Sequence, residues 1–252
     1  ISSSAHQLII SQLFGWPDPG AAFTAVTQIG TEVAVIVYFR DEIGRILRAW
    51  WRSIRDEEVR HDPAARMGWL VLVGTIPIVV FGLVFRDQIE TAARNLYLTA
   101  TMLIVFGLVL AVADALGART KDETALTVRD GVLYGLAQAL ALIPGVSRSG
   151  ASISAGLAMG YTRAAATRYA FLLAIPAVLG SGLFEARKIG EDAAVSWGPT
   201  LLATVISFGV GLAVISWLMR WLTTRSFLPF VVYRIGLGLL VLALLALGVL
   251  SA

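Results

Sequence analysis

Residues Ala141–Ser154 read A-L-I-P-G-V-S-R-S-G-A-S-I-S, and they decide the fold because they interrupt two long apolar segments. The stretch holds a proline, two glycines, four serines and an arginine. Pro144 and Gly145 stop any helix arriving from Leu133, and Ser147 is a good N-cap for a new one running to about Gly160. An arginine placed in a bilayer costs about 2.5–3.5 kcal/mol on insertion scales, so it is rarely kept there without a use. Broken helices at membrane depth are tolerated only where they are buried in protein or line a polar cavity. The new helix would present free N–H groups, serine hydroxyls and Arg148 at one point, an anion site suited to phosphate. A tight helix crossing would also favour small residues. Packing explains the glycines but not the arginine.

The surroundings are those of a membrane protein. Of 252 residues, 57% are hydrophobic and only 15% charged. Mean hydropathy is +0.77, whereas a soluble domain carries about a quarter charged residues. With several apolar runs of about 20 residues, the class is all-α and polytopic. There is no cysteine, which excludes a disulfide framework and a thiolate metal site. The net charge of +3 is small, and eighteen of the twenty basic residues are arginine. In this setting the charge informs orientation, and no nucleic-acid partner is expected. The chain starts at Ile1 inside a motif, so a further segment is expected upstream.

Taken in order, Ile1–Phe14 opens I-S-S-S-A-H and continues as an apolar helix too short to span, as one half of a re-entrant hairpin would. Trp16-Pro17-Asp18-Pro19-Gly20 is a turn. Phe23–Phe39 is the first span, with Gln28 and Glu32 as an i, i+4 polar pair on one face. Arg40–Arg66 is a polar loop holding seven arginines and six acids. Met67–Phe85 and Leu96–Leu116 are the second and third spans, and Arg119–Arg129 is a polar linker. Val132–Gly160 is the broken hairpin. Arg163–Phe184, Gly198–Leu218 and Phe227–Leu250 complete six spans and two re-entrant hairpins. If Arg40–Arg66 faces the cytoplasm, thirteen basic residues lie inside and only Arg86, Arg94, Arg187 and Lys188 outside. Arg148, Arg168 and Arg234 then lie at membrane depth.

The halves of this single membrane domain, about 1–117 and about 130–252, resemble each other. Ile1-Ser2-Ser3-Ser4-Ala5 lies over Val146-Ser147-Arg148-Ser149-Gly150, Thr27-Gln28 over Thr167-Arg168, and Thr75 through Gly82 over Thr204 through Gly211. Each half holds one re-entrant element and three spans, and an odd number of spans inverts one repeat relative to the other. In such folds the site lies where discontinuous helices meet near the midplane.

Here the residues carry a resemblance. I-S-S-S-A-H at 1–6 and I-P-G-V-S-R-S-G-A at 143–151 resemble the motif pair of the bacterial undecaprenyl-pyrophosphate phosphatases, the bacitracin-resistance family. T-Q-I-G-T at 27–31, R-Y-A-F-L-L-A-I-P at 168–176, and Phe230 with Tyr233-Arg234 extend it over the whole chain. The resemblance implies hydrolysis of the terminal phosphate of a polyprenyl diphosphate, recycling the lipid carrier of cell-wall synthesis in the bacterial cytoplasmic membrane. It also implies a divalent cation, Mg or Ca, bound through an acidic E-x-x-x-E-F-L-P stretch ahead of the serine motif. That stretch is not in this sequence, so those ligands are expected upstream of Ile1, with Glu32 the one candidate within it. The family commonly has Thr-Gly at Ser4-Ala5 and a threonine at Ser152.

Phosphoryl transfer needs charge compensation on the non-bridging oxygens and a positioned nucleophile. Arg148 can hold two oxygens through its planar fork. Ser2, Ser4, Gln28, Ser147, Ser149, Gly150 and Ser152 are candidate substrate contacts, although capping and packing would account for about half of the serines. Ser3 is the candidate nucleophile, with His6 one turn away as base or proton donor. Arg168 and Arg234 either neutralise diphosphate or anchor at the interface, and His61 in the charged loop is structural. The site is expected toward the outer side of the membrane, and a homodimer is compatible with the sequence.

A transporter or flippase for a lipid phosphate or another anion shares the inverted repeats and broken helices. The type-2 phosphatidic-acid phosphatases need a histidine after their Ser-Arg pair, and none follows Arg148. Single cysteines placed in this cysteine-free chain test the orientation. Those near 56 and 124 should label only from the cytoplasm, and those near 18, 91 and 192 only from outside. Labelling of 18 and 56 from one side contradicts the arrangement.

Overall fold

Six apolar stretches fold into helices long enough to cross a membrane, because a continuous helix satisfies its own backbone where no water can. The computed structural model describes residues 1–17, 20–86, 88–89, 95–189 and 196–250. The spans are α2 (Gly20–Tyr38), α4 (Pro63–Val84), α5 (Leu96–Leu116), α8 (Arg163–Glu185), α9 (Trp197–Trp221) and α10 (Leu228–Ala246). The shortest has 19 residues, about 28 Å at 1.5 Å per residue, against a hydrocarbon core of about 30 Å. Three shorter helices, α1 (Ser3–Phe14), α6 (Val128–Ala139) and α7 (Arg148–Ala158), have 12, 12 and 11 residues. None of these could cross alone. Among the described residues there is no strand, only an isolated bridge between Lys121 and Tyr161.

Most element boundaries fall within a few residues of the sequence reading, with one correction. The polar loop expected over Arg40–Arg66 contains a helix, α3 (Arg40–Ser53). Ile43, Ile46, Leu47 and Trp50 recur there at helical spacing, so the segment can bury one edge while its arginines stay solvated. The broken hairpin also starts earlier than Val132: Thr127 and Asp130 form a capping box that opens α6. Asp18 and Pro19 of the first turn, Arg94, and labelling positions 91 and 192 lie outside the described residues.

Packing places α7 inside. It contacts α5, α6 and α8, and Gly150, Ala151, Ser152, Ile153, Ser154, Gly156 and Leu157 are buried along it. Around this core α2 packs on α8 and α9, α10 on α5, and α4 on α3 and α6. The outer faces stay apolar, as Leu201, Val205, Ile206 and Val210 of α9 show by their exposure. A surface of that kind suits lipid.

The arginine-rich end is knitted by polar contacts between loops. Arg163 pairs with Asp114 at 2.5 Å, and the same carboxylate accepts the Phe227 N–H at 3.0 Å. Tyr161 donates to Asp130 at 2.8 Å. Arg168 pairs with Glu42 of α3 and Glu123 of the linker. It therefore ties α8 to α3 and to the linker, a structural role.

Close helix approaches depend on glycine. A Cβ at Gly135 would fall 2.3 Å from the Gly74 carbonyl oxygen, and one at Gly30 would fall 2.1 Å from that of Thr204. Both obstacles are backbone, so neither contact relaxes by a side-chain rotation. Gly135→Ala should therefore destabilise the protein by about 1–3 kcal/mol, the usual range for overpacking. Gly236→Ala, with nothing within 4 Å of the added carbon, should not. Thermal unfolding in detergent compares the two, and equal melting of both variants would contradict this packing.

Candidate active site

The break at Pro144-Gly145 is held from three sides. Gly145 has φ +87°, and a Cβ there would fall 2.2 Å from the Thr99 carbonyl oxygen on α5. Only glycine fits. Ser147 also has positive φ, at 71°, and its hydroxyl accepts the Gly150 N–H at 3.2 Å, capping α7. A serine held in this conformation is a strained residue kept by its surroundings. Arg234 of α10, 1% exposed, donates from Nη2 to the carbonyls of Gly145 and Val146 at 2.9 and 3.0 Å. Its Nε reaches the Leu103 carbonyl at 3.4 Å. Nη1 has no hydrogen-bond partner among the described residues. It lies 2.7 Å from where a Gly150 Cβ would be, against the first turn of α7.

Arg148 is the first residue of α7 and donates from Nη2 to the side-chain oxygen of Gln28 on α2 at 2.6 Å. Glu32, one turn further along α2, is buried and interacts electrostatically with Arg148. Its Oε1 has no partner among the described residues.

The first serine motif meets the second at the start of α1. Ser147 donates to the Ile1 carbonyl at 3.4 Å. Ser2 caps α1, accepting the Ala5 N–H at 3.4 Å, and the Ser2 and Ser4 hydroxyls share a hydrogen bond of 3.2 Å. His6 is fixed by both ring nitrogens. Nδ1 lies 2.7 Å from the Ser2 carbonyl and Nε2 2.6 Å from the Tyr233 hydroxyl, with the two rings stacked. A carbonyl only accepts, so Nδ1 carries a proton, and a neutral His6 receives the Tyr233 hydroxyl at Nε2. Gln7 ties α1 to α2 by donating to Thr27 at 3.4 Å and accepting from Thr24 at 2.7 Å.

The structure thus brings Ser2, Ser4, His6, Gln28, Ser147, Arg148 and Gly150 into one connected cluster. It also adds Gln7, Tyr233 and the fixed position of Arg234. Ser3 is exposed, and among the described residues its hydroxyl makes no hydrogen bond, to His6 or to any other group. Ser149 is half-buried beside Arg148. Ser152 donates to the Arg148 carbonyl at 2.9 Å within its own helix, so its hydroxyl proton is committed there. Sequence reading singled out Tyr233-Arg234 as a motif match. It had no signal for Tyr233 meeting a histidine 227 positions away.

Chemically, the cluster offers two guanidinium groups and the free N–H groups at the first turn of α7. One buried carboxylate stands beside them. That balance of charge suits a phosphate ester or anhydride.

Comparison with known proteins agrees with this chemistry. The profile for Bacitracin resistance protein BacA matches residues 1–240. The chain is 58% identical to "Undecaprenyl-diphosphatase 2" of Streptomyces coelicolor, covering 100% of this chain and 90% of that protein. It is 58% identical to "Undecaprenyl-diphosphatase" of Nocardioides sp., covering 100% and 92%. It is also 58% identical to the Micrococcus luteus protein of the same name, covering 100% and 93%. With both serine motifs inside the matched region, the chain belongs to the BacA family of bacitracin resistance proteins.

Proposed function

We propose that this chain is an integral-membrane phosphatase that hydrolyses undecaprenyl diphosphate to the monophosphate and inorganic phosphate, recycling the lipid carrier. The observation that carries the proposal is the convergence of Arg148 and Arg234 on the first turn of α7, beside the serine run of α1. The relatives, named as undecaprenyl-diphosphatases, favour hydrolysis over transport of an intact lipid phosphate.

In the proposed reaction, Arg148 and the free edge of Arg234 hold non-bridging oxygens, with the α7 N–H groups behind them. Ser3 Oγ attacks the terminal phosphorus as the bridging P–O bond breaks, and the prenyl monophosphate leaves with the bridging oxygen. Water then cleaves the phosphoserine, releasing inorganic phosphate and restoring the hydroxyl. His6 accepts the Ser3 proton and later returns one, which requires Nε2 to exchange the Tyr233 hydroxyl for Ser3.

The described residues do not fit a divalent cation. No group of three or more His, Asp or Glu side chains converges among them. Glu32, the one carboxylate beside the site, stands next to a guanidinium. No step here is routed through a cation.

The proposal extends to architecture. Halves at about 1–117 and 130–252 form inverted repeats, with α1 in one and α6–α7 in the other as re-entrant elements. Similar helix pairing supports this: Gly30 of α2 abuts Thr204 of α9, while Tyr169 and Leu173 of α8 abut Gly74 of α4. The bias of basic residues toward Arg40–Arg66 supports an orientation with α1, and the opening of the site, on the outer side of the cytoplasmic membrane.

Arg148→Lys keeps the charge but loses the planar fork, and should be impaired by two orders of magnitude or more in diphosphate turnover. Near-normal turnover would reduce Arg148 to a point charge.

Ser3→Ala should abolish turnover while retaining diphosphate binding, whereas Ser147→Ala should lose less. Rapid acid quench of the wild type should trap a phosphoryl group on Ser3. Substantial turnover by Ser3→Ala would make water the nucleophile.

A further inference from the structure

We propose that Glu32 of α2 governs product release: its charge weakens the hold of the two guanidinium groups on inorganic phosphate, so that the product leaves a site built to capture anions. The inference rests on the phosphatase reading above and concerns the same site.

Glu32 is a buried carboxylate beside the cluster that the proposed reaction leaves unused. It is 4% exposed, shares a face of α2 with Gln28, and interacts electrostatically with Arg148. Its Oε1 nevertheless has no hydrogen-bond partner among the described residues. Arg148 donates instead to the neutral amide of Gln28. A carboxylate kept only to pair with Arg148 would take that donor itself, because charge-assisted hydrogen bonds are the stronger ones. An unpaired oxygen on a buried carboxylate is also costly. Both features fit a group that acts through its charge and leaves the donors of Arg148 to the ligand.

The charges at the site explain what that action does. Arg148 and Arg234 bring two positive charges to the first turn of α7, and its free N–H groups add to them. Without an opposing charge such a pocket would hold the product as firmly as the substrate, and equal binding of ground and transition states does not speed the chemical step. Glu32 stands about 6 Å beyond Gln28 along α2, where it lowers the affinity for an anion without blocking its place. Substrate and product do not feel this equally. The diphosphate is also held by its prenyl chain, which stays in lipid, whereas inorganic phosphate has only the polar site. Weakening that site therefore selects against the product.

Thermal stabilisation of the whole chain by added inorganic phosphate, in detergent, reads this affinity without turnover. Glu32→Gln, neutral and of the same size, should bind phosphate at least about tenfold more tightly than the wild type. In hydrolysis of undecaprenyl diphosphate the same variant should be inhibited by phosphate at correspondingly lower concentration, with kcat reduced and KM not raised. Glu32→Asp keeps the charge and should bind phosphate within about threefold of the wild type. If Glu32→Gln does not fold, Glu32→Met supplies a neutral side chain of similar length, with the same tightening expected. Damage to the fold weakens a ligand site, so a gain in phosphate affinity separates this role from a structural one. Unchanged or weaker phosphate binding by a folded neutral variant, with normal turnover by the wild type, would overturn the proposal and leave the phosphatase reading standing. A wild type that neither binds phosphate nor releases it from the diphosphate would overturn both.

Discussion

The arrangement depends on one buried guanidinium. Where α6 ends and Pro144-Gly145 turns the chain, backbone carbonyls lose their helical partners deep in the protein. An unpaired backbone group buried away from water is expensive. Arg234 answers this by donating to the carbonyls of Gly145 and Val146 from α10. The carbonyls in turn accept a charge that would be far more costly unpaired. Neither partner is tolerable alone, so the break and the arginine require each other. Their mutual satisfaction sets where α7 begins, which way it points, and where its free N–H groups collect.

The neighbouring residue extends this constraint to the other end of the sequence. Tyr233 holds His6 while Arg234 holds the loop before Ser147, so two adjacent residues on α10 position both serine motifs. Gln7 fixes α1 to α2, and Gln28 on α2 fixes Arg148. The motifs are therefore located through spans, and not by their short contact at Ile1 and Ser147 alone. A shift of α10 relative to α5 would displace both motifs together.

The features legible in the sequence are those whose causes are local. Apolar runs give the six spans, Pro144 and Gly145 give the break, and Ser147 gives the cap, since each acts on its own neighbours. Arg148 was legible as a candidate site residue because an arginine inside such a stretch demands an explanation. What could not be read was partnership. Arg168 and Arg234 looked equivalent as isolated charges in apolar surroundings, yet one joins acids of α3 and the linker and the other joins loop carbonyls. Gln7 has no pattern of its own, since its partners Thr24 and Thr27 lie on another helix. α3 is a different case: its helical spacing was present, but arginine content outweighed periodicity in reading the segment as a loop.

Gln28 shows why the polar partner of an arginine proposed to bind phosphate matters. A carboxylate in its place would bind Arg148 more tightly, but it would neutralise the guanidinium and compete with phosphate for it. The amide oxygen holds one nitrogen at 2.6 Å and adds no charge, so the fork is oriented while its attraction for an anion is preserved. The carboxylate that is present, Glu32, sits one helical turn further along and is not hydrogen-bonded to Arg148. At that distance it offsets the burial of a positive charge without occupying the donors that phosphate would use. Orientation and compensation are thus assigned to two residues on one face of α2. Exchanging their positions would give a better-paired arginine and a poorer phosphate site.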